Sequence, residues 1–324
     1  MDNKITPLFS IIMPCYNSSK SVKKTIRLIL DQSFNDFELI VIDDGSTDNT
    51  FQIVKDFALN DQRIRLFKQS NLGAATARNT GLNYANGDWI AFCDSDDEVR
   101  KDWLKSFYDN ILPNSDMLSQ GYLTDTGQKV VLPNYVYERD SFKEWLEQGY
   151  KGFLWGFLWC KAFKSEIIKE NNLVFSSHLS FQEDLEFILH YLEFSKNIVQ
   201  INSTEYIYVG NGDISKYKKY RKLDGAILCI EHIKKIMNQE DGLLIEYFQR
   251  LMIEDIFLGY CQNDTQKNRI SNILKFKHIV GNELRWQNCS GCSRKLFYLF
   301  YSYLPISFMD KGLMLLNKLY VIKN

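Results

Sequence analysis

The chain has 324 residues, of which 45% are hydrophobic and 24% are charged, and this composition is typical of a folded globular protein. The formal net charge of −1 provides no general attraction for nucleic acid, so we expect no nucleic-acid partner. The seven cysteines lack the spacing of a disulfide framework, and we expect reduced thiols.

Strand-like and helix-like segments alternate over the first part of the chain. The predicted strands span 9–15, 37–44, 63–68 and 88–94, and the predicted helices span 20–33, 46–58 and 73–85. Strands separated by helices of this length predict an α/β fold, in which a mostly parallel sheet has helices on both faces. Ser46 is the expected N-cap of the second helix.

The middle of the chain is more mixed. It contains a predicted helix at 103–111, a strand at 116–123, a helix at 140–148 and a short strand at 204–211. Ser180 and Glu183 form an S-x-x-E capping box, which predicts the start of a further helix. The pattern after Gly212 is helical, so we predict two regions, 1–212 and 213–324.

Polar motifs stand at the ends of three predicted strands. They are Pro14 to Asn17, Asp43 to Gly45, and Asp94 to Glu98. Ligands of parallel sheets bind at the carboxyl ends of the strands. We therefore expect these motifs to meet at one edge of the sheet and to form a ligand site there.

The acidic motif after the fourth strand crowds four carboxylates together, namely Asp94, Asp96, Asp97 and Glu98. Like charges at this spacing raise the cost of ionising one another. A divalent cation would offset the repulsion, because Mg²⁺ and Mn²⁺ prefer oxygen ligands. An Asp-x-Asp at a strand end, here Asp94 and Asp96, suits such a cation. The alternative is a solvated acidic turn.

Asp43 and Asp44 are candidates for base recognition, because a carboxylate accepts a hydrogen bond from the N3–H group of uracil. Alternatively, the two acids simply precede a turn. Arg78, in the helix that follows Gly73, either reaches a phosphate or pairs with one of the acids. The chain has no Walker loop, and no G-x-G-x-x-G follows the first strand, which argues against P-loop and dinucleotide-binding proteins.

Five segments, taken together, resemble the family-2 glycosyltransferases of the GT-A fold. In the order found in that family they are SIIMPCYN, ELIVIDDGSTDNT, NLGAATARNTGL, GDWIAFCDSDD and FQEDLEF. The resemblance covers about residues 8–212 and implies that 1–212 is a nucleotide-sugar-binding catalytic domain. It also implies a UDP-sugar donor, Mn²⁺ or Mg²⁺, and inversion at the anomeric carbon. Val209 stands where many members have an arginine.

The resemblance also implies roles for individual residues. The expected nucleotide-sugar site consists of Pro14, Tyr16, Asp43, Asp44, Arg78, Asp94 and Ser95. Of these, Pro14, Tyr16 and Asp44 are expected to line the uridine pocket, and Asp94 is expected near the ribose. The expected metal ligands are Asp96 and Asp97. The catalytic base is expected in the pair Glu183 and Asp184. Because Glu183 would close the capping box, we favour Asp184, and we expect the helix N-terminus to lower the pKa of Asp184.

The predicted function is therefore an inverting hexosyltransferase that acts on a hydroxyl of a glycan or lipid-linked glycan, in cell-surface polysaccharide synthesis. One alternative is a catalytically inactive nucleotide-sugar-binding or scaffold protein. Another is a sugar nucleotidyltransferase. That class would need a glycine-rich phosphate loop near the N-terminus, and the sequence has none.

The C-terminal part of the chain is basic. Residues 264–324 contain 10 Lys and Arg against 3 Asp and Glu, a net charge of +7. The segment 294–324 is apolar and aromatic, and its longest uncharged run is shorter than the roughly 20 residues that span a bilayer. It either packs on protein, including a second copy of the chain, or binds an anionic membrane surface. The expected location is cytoplasmic, including the cytoplasmic face of the membrane.

Overall fold

The computed structural model describes residues 6–151, 154–179, 182–210, 222–237, 247–248, 251–253, 255–256, 264–280, 305 and 308–314. The chain divides into two compact units. The first consists of Met1–His178 with Glu183–Asp213, and the second of Leu179–Gln182 with Ile214–Asn324. The assignment of catalysis to 1–212, and of membrane binding or self-association to 213–324, stays a prediction.

The first unit is built from strands and helices that alternate. Its strands are β1 (Phe9–Cys15), β2 (Phe37–Asp44), β3 (Ile64–Gln69), β4 (Trp89–Phe92), β5 (Glu98–Val99), β6 (Met117–Thr124), β7 (Lys129–Val130), β8 (Tyr135–Glu138), β9 (Lys161–Lys164) and β10 (Asn197–Tyr208). Its α-helices are α1 (Val22–Leu30), α2 (Thr50–Asn60), α3 (Ala74–Tyr84), α4 (Trp103–Tyr108), α5 (Phe142–Lys151), α6 (Ser165–Glu170) and α7 (Glu183–Phe194).

In the part of the chain that is described, the ten strands form one sheet in the order β3-β2-β1-β4-β9-β6-β10-β5, with β7 beside β6 and β8 beside β10. β1 is parallel to β2 and β4, and β2 is parallel to β3. These pairings bring the carboxyl ends of β1, β2 and β4 to one edge. β9 is antiparallel to both β4 and β6. The arrangement confirms the predicted α/β class.

The parallel strands are covered on both faces, and their sequences are accordingly apolar along most of their length. Every residue of β2 is buried. On one face, Val22, Ile26 and Ile29 of α1 join a core cluster with Met13 and Val41. The sheet edge that carries the polar motifs is therefore supported by a packed core.

The predicted start of α2 is wrong. The helix begins at Thr50 and follows Asn49, not Ser46. The Ser46 hydroxyl instead accepts a hydrogen bond from the backbone N–H of Asn17 at 3.0 Å. This tertiary contact joins the loops that follow β1 and β2, and it uses the group that a local cap would have needed.

β10 is longer than the predicted strand at 204–211. It runs from Asn197 to Tyr208, and its register against β6 shifts between Ile201 and Tyr206. Asn202 and Ser203 lie in this irregular stretch and break the alternation that would indicate a continuous strand. The irregular stretch lies just before the end of β10 that reaches the candidate site.

The described part of the second unit is helical. It includes α8 (Leu223–Met237), α9 (Gln266–Val280) and the stretch 308–314. Arg269 on α9 donates to the buried carboxylate of Asp310 at 2.9 Å. Across the ranges given above, no helix has the length and apolar character needed to cross a membrane. Most of the segment 294–324 lies outside the described residues.

Candidate active site

Asp43 is a buried carboxylate at the end of β2. Its side chain is fully buried, and within the described residues neither carboxylate oxygen has a hydrogen-bond partner. The ammonium group of Lys68, on β3, lies 3.9 Å from Asp43 Oδ2 and 4.8 Å from the ring centroid of Phe51. Burying an acid without a hydrogen-bond donor costs free energy, so Asp43 is an uncompensated polar group at this strand end.

Asp44, the next residue, has a different environment because successive side chains of a strand point to opposite faces. Its carboxylate accepts hydrogen bonds from Gln69 Nε2 at 2.8 Å and from the backbone N–H groups of Leu72 at 2.9 Å and Gly73 at 2.8 Å. These bonds fix the loop before α3. The predicted acid pair thus separates into Asp44, whose carboxylate is bonded to the loop before α3, and Asp43, whose buried carboxylate has no donor among the described residues.

The loop after β1 lies beside this pair. Pro14 is partly buried and pairs in register with Ile42 of β2, and Tyr16 is 47% exposed. Asn17 adopts a positive φ of 50°, and its side-chain oxygen accepts a hydrogen bond from the Thr47 N–H at 2.9 Å. The loops of β1 and β2 are therefore joined, with the Tyr16 ring accessible above them.

The acidic motif after β4 contains one carboxylate, that of Asp97, whose oxygens accept hydrogen bonds from other residues of the protein. Asp97 is buried, and it accepts hydrogen bonds from the Tyr206 hydroxyl at 2.8 Å and from the Val209 N–H at 2.7 Å. Burial, together with the nearby charge of Asp94, raises the pKa of Asp97 to about 8. The Tyr206 hydroxyl also accepts a hydrogen bond from the Asp94 N–H at 3.2 Å. Asp97 and Tyr206 therefore tie β10 to the acidic loop.

The other residues of this motif are more accessible or help to hold the loop. Asp96 is exposed, and the side chain of Asp94 is 34% exposed. Ser95 is buried, and its hydroxyl lies 2.7 Å from that of Ser18. Two accessible carboxylates at a strand end form a hard oxygen donor set, which suits Mg²⁺ or Mn²⁺.

Arg78 on α3 connects this motif to the first turn of α7. Its guanidinium group is buried and lies 2.8 Å from Asp184 Oδ1, 3.4 Å from Asp94 Oδ1 and 3.7 Å from Glu183 Oε1. Burial opposes the positive charge, but these carboxylates outweigh it and raise the pKa of Arg78. Of the two interpretations that the sequence left open, pairing with acids is the one that the geometry shows.

Asp184 does not have the lowered pKa that the helix N-terminus predicts. Although 27% of its side chain is exposed, loss of water around the carboxyl group raises the pKa of Asp184 to about 7. Arg78 and, more weakly, Lys161 act in the opposite direction, while Glu183 and Asp94 add to the rise. The prediction was wrong because desolvation exceeds both the helix dipole and the cation.

The capping box that favoured Asp184 is not formed as predicted. α7 begins at Glu183, and Gln182 has a φ of +72°, which lies in the left-handed region and cannot belong to the helix. Glu183 is therefore the first helical residue instead of the third. Ser180, the other half of the predicted box, lies outside the described residues.

Two further residues contact the site, although their types gave no local signal. Tyr206 lies in a run of strand residues, and only its bonds to the acidic loop reveal its role. Lys161 is fully buried on β9, where its ammonium group donates to the carbonyl oxygens of Leu154 and Phe157, each at 2.7 Å. Burial lowers the pKa of Lys161, and Asp184 is one of the groups that oppose this shift.

The fold and the carboxylates at its strand ends define a GT-A-type α/β protein. The first unit and its helical continuation resemble S. aureus TarS 1-349, with a TM-score of 0.63 and 20% identity over 98% of this chain and 92% of that one. A TarS 1-349 complex with UDP-GlcNAc matches with a TM-score of 0.63 and 19% identity over 94% of this chain and 89% of that one. At this identity the likeness establishes the fold alone.

Residues 10–158 match the model of glycosyl transferase family 2. The relatives include the uncharacterized glycosyltransferase EpsJ of Bacillus subtilis (strain 168), 30% identical over 63% of this chain and 62% of that protein. They also include the cholesterol galactosyltransferase of Borreliella burgdorferi, 28% identical over 94% of this chain and 83% of that protein. The EpsJ match thus covers less than two thirds of the relative. The match to the family model and to these relatives confirms the resemblance found in the sequence.

Proposed function

We propose that this protein transfers a sugar from a UDP-sugar to a hydroxyl of a glycan or lipid-linked glycan, with inversion at the anomeric carbon. One observation carries the proposal. Arg78 contacts Asp94, which follows β4, and Asp184, in the first turn of α7, so one buried guanidinium links a donor-side acid to an acid with a raised pKa. A titratable group whose pKa is shifted by burial, beside a specific charged partner, is typical of catalytic sites.

The proposed donor site is the edge formed by β1, β2 and β4. Asp43 would accept the N3–H of uracil, because its oxygens have no donor among the described residues, and Lys68 would donate to a neighbouring carbonyl oxygen of the base. Tyr16 and Pro14 would line the same pocket. The complexes of TarS with UDP and with UDP-GlcNAc support a uridine nucleotide. Asp44 would act indirectly, by holding the loop before α3.

The proposed metal ligand is Asp96, with Asp94 close by and directed to the ribose. Bound Mn²⁺ or Mg²⁺ would neutralise charge on the diphosphate as the sugar leaves. Asp97, the second predicted ligand, is assigned a different task, because both of its oxygens accept hydrogen bonds from β10 and the residue that follows it. A structure of the mannosyltransferase PcManGT from Pyrobaculum calidifontis in complex with GDP-Man and Mn²⁺ is similar in fold, with a TM-score of 0.52 and 15% identity over 98% of this chain and 87% of that one.

The proposed base is Asp184. The acceptor hydroxyl would attack the anomeric carbon on the face opposite the UDP group, and its proton would pass to Asp184 as the new glycosidic bond forms. A base with a pKa of about 7 is well matched to this task near neutral pH. Glu183 lies farther from Arg78, at 3.7 Å against 2.8 Å, and would have an auxiliary role.

The basic residues of 264–324 support a membrane-bound acceptor. We propose peripheral, salt-sensitive binding of the C-terminal region to an anionic leaflet, on the cytoplasmic side. Liposome flotation with the full chain and with a chain that ends at Ser293 tests this. Loss of binding in the shorter chain is expected, and equal partitioning would instead favour a packed or self-associating subdomain.

A panel of UDP-sugars, with and without Mn²⁺, tests the activity. We expect one donor to raise the melting temperature and to be hydrolysed slowly, because water replaces the acceptor. If a UDP-sugar raises the melting temperature but is neither hydrolysed nor transferred, even when membrane lipids or glycans are present, an inactive binding protein would be favoured. Formation of a UDP-sugar from UTP and a sugar phosphate would favour a nucleotidyltransferase.

A further inference from the structure

Asn79 is the residue after Arg78 on α3, and its side chain holds a distant backbone segment. Its amide Nδ2 donates to the carbonyl oxygen of Phe175 at 2.9 Å, and its Oδ1 accepts a hydrogen bond from the Phe175 N–H at 2.7 Å. A single side chain thus satisfies both backbone groups of one residue. Such a two-point contact fixes both the position and the direction of the backbone at Phe175.

The ring of Phe175 lies between the two elements that carry Arg78 and Asp184. It is buried and stacks on Phe187 of α7, with a centroid distance of 4.0 Å and an interplanar angle of 8°. The guanidinium carbon of Arg78 lies 5.6 Å from the centroid of the Phe175 ring. Because Phe187 is three residues after Asp184, both belong to the first turns of α7.

We propose that Asn79 is a positioning residue for sugar transfer. Through Phe175 it holds the start of α7, and therefore Asp184, at hydrogen-bond distance from Arg78. Ser176 adds a second tie to α7, since its hydroxyl donates to Glu186 Oε2 at 3.1 Å. The inference rests on the proposed function, in which Asp184 is the base.

The test compares Asn79→Ala with the wild-type chain in two assays. A displacement of about 1 Å at a reacting group can cost on the order of 10²-fold in rate, so we expect UDP-sugar hydrolysis with Mn²⁺ to fall by about 10–100-fold. The affinity for UDP, measured by calorimetry, should stay within about twofold, because Asn79 does not contact the strand-end acids. A fall in rate with an equal fall in affinity would overturn the proposal.

Asn86→Ala is the matched control. Asn86 also bonds across the fold, from Nδ2 to Glu38 Oε2 at 3.3 Å, but it lies near the amino end of β4. We expect this variant to keep both the rate and the affinity. Phe175→Leu is the second test, because it keeps the backbone contacts and removes the ring that stacks on Phe187. Phe175→Leu should show the same loss of rate as Asn79→Ala. It therefore tests the inference even if Asn79→Ala does not fold.

Hydrogen exchange separates the positioning role from the proposed activity. Amides 184–188 of α7 should exchange faster in Asn79→Ala than in wild type, and at the wild-type rate in Asn86→Ala. If the wild-type chain hydrolyses no UDP-sugar, the proposed function fails, and this measurement still decides whether Asn79 holds α7. Unchanged exchange of these amides in Asn79→Ala and in Phe175→Leu would overturn the inference.

Discussion

The side chain of Asp43, at the end of β2, has no hydrogen-bond partner among the described residues, whereas that of Asp184, at the start of α7, is bonded to Arg78. The first acid is fixed by the sheet and is fully buried. The second is held by a cation, and burial raises its pKa to about 7. The proposed function assigns them two tasks, which are binding of the nucleotide at the strand ends and proton transfer at α7.

The largest expected effect comes from Asp184→Asn, which removes the base and keeps the size of the side chain. We expect transfer to fall by roughly 10²–10⁴-fold, since this is the usual contribution of general base catalysis. The affinity for UDP should be unchanged. Turnover assays measure the loss of transfer, and calorimetry on the same samples measures the affinity for UDP. Glu183→Gln is the control, and a dead Glu183→Gln beside an active Asp184→Asn would reverse the assignment.

The next effect is that of Asp96→Asn, which removes charge from the proposed metal site. Loss of one group that stabilises developing charge costs about 10²–10³-fold in rate, and we expect this loss at limiting Mn²⁺. Asp97→Asn should act differently, because its side chain bonds to Tyr206 and Val209. Asp97→Asn should lower the melting temperature, as measured by thermal unfolding, and should change the affinity for Mn²⁺ less, as measured by a Mn²⁺ titration. Wild-type turnover of Asp96→Asn at limiting Mn²⁺ would remove Asp96 from the metal site.

Asp43→Asn should alter base selection. An amide can donate to the unprotonated N3 of cytosine but loses the charged acceptor for the uracil N3–H group. We expect affinity for UDP to fall by about 10–100-fold, and affinity for CDP to rise relative to it. Asp44→Asn should instead loosen the loop before α3 and leave the ratio of the affinities for UDP and CDP unchanged. An unchanged ratio of the two affinities in Asp43→Asn would exclude its contact with the base.

The last prediction is a pH dependence. Asp184 must be ionised to accept a proton, so the rate should rise about tenfold per unit up to pH near 7 and then level off. Because the folded pKa is raised above the ordinary value of 3.8, the folded state binds more protons than the unfolded state between these pH values. The free energy of unfolding should therefore fall as pH rises from about 4 to about 7. Asp184→Asn should lack this part of the fall, and equal slopes in the two proteins would contradict the raised pKa.

The sequence was sufficient to predict the parallel strands β1 to β4 and the edge where the polar motifs stand, but not the short strands β5, β7, β8 and β9. Apolar runs of the right length determine β1, β2 and β4, and acids stand at the ends of β2 and β4. Period-two alternation also implies that Asp43 and Asp44 face opposite sides, although it does not tell which side is open to a ligand. That distinction depends on Leu72 and Gly73, which fold back onto Asp44.

Other features depend on contacts between residues far apart in sequence. Arg78 meets Asp184 across 106 positions, and Asn79 meets Phe175 across 96. The predicted pKa of Asp184 had the wrong sign because a local rule, the helix dipole, was applied to a group whose desolvation is set by the tertiary fold. Ser46 failed as a cap for the same reason, since its hydroxyl bonds to the loop after β1.

A crystal structure with UDP and Mn²⁺ tests the central claim most directly. We expect the uracil N3 within hydrogen-bond distance of an Asp43 oxygen, the metal on Asp96, and Arg78 still bonded to Asp184. A nucleotide that leaves Asp43 without a partner while Arg78 departs from Asp184 to bind the diphosphate would contradict the division between nucleotide binding at the strand ends and proton transfer at α7.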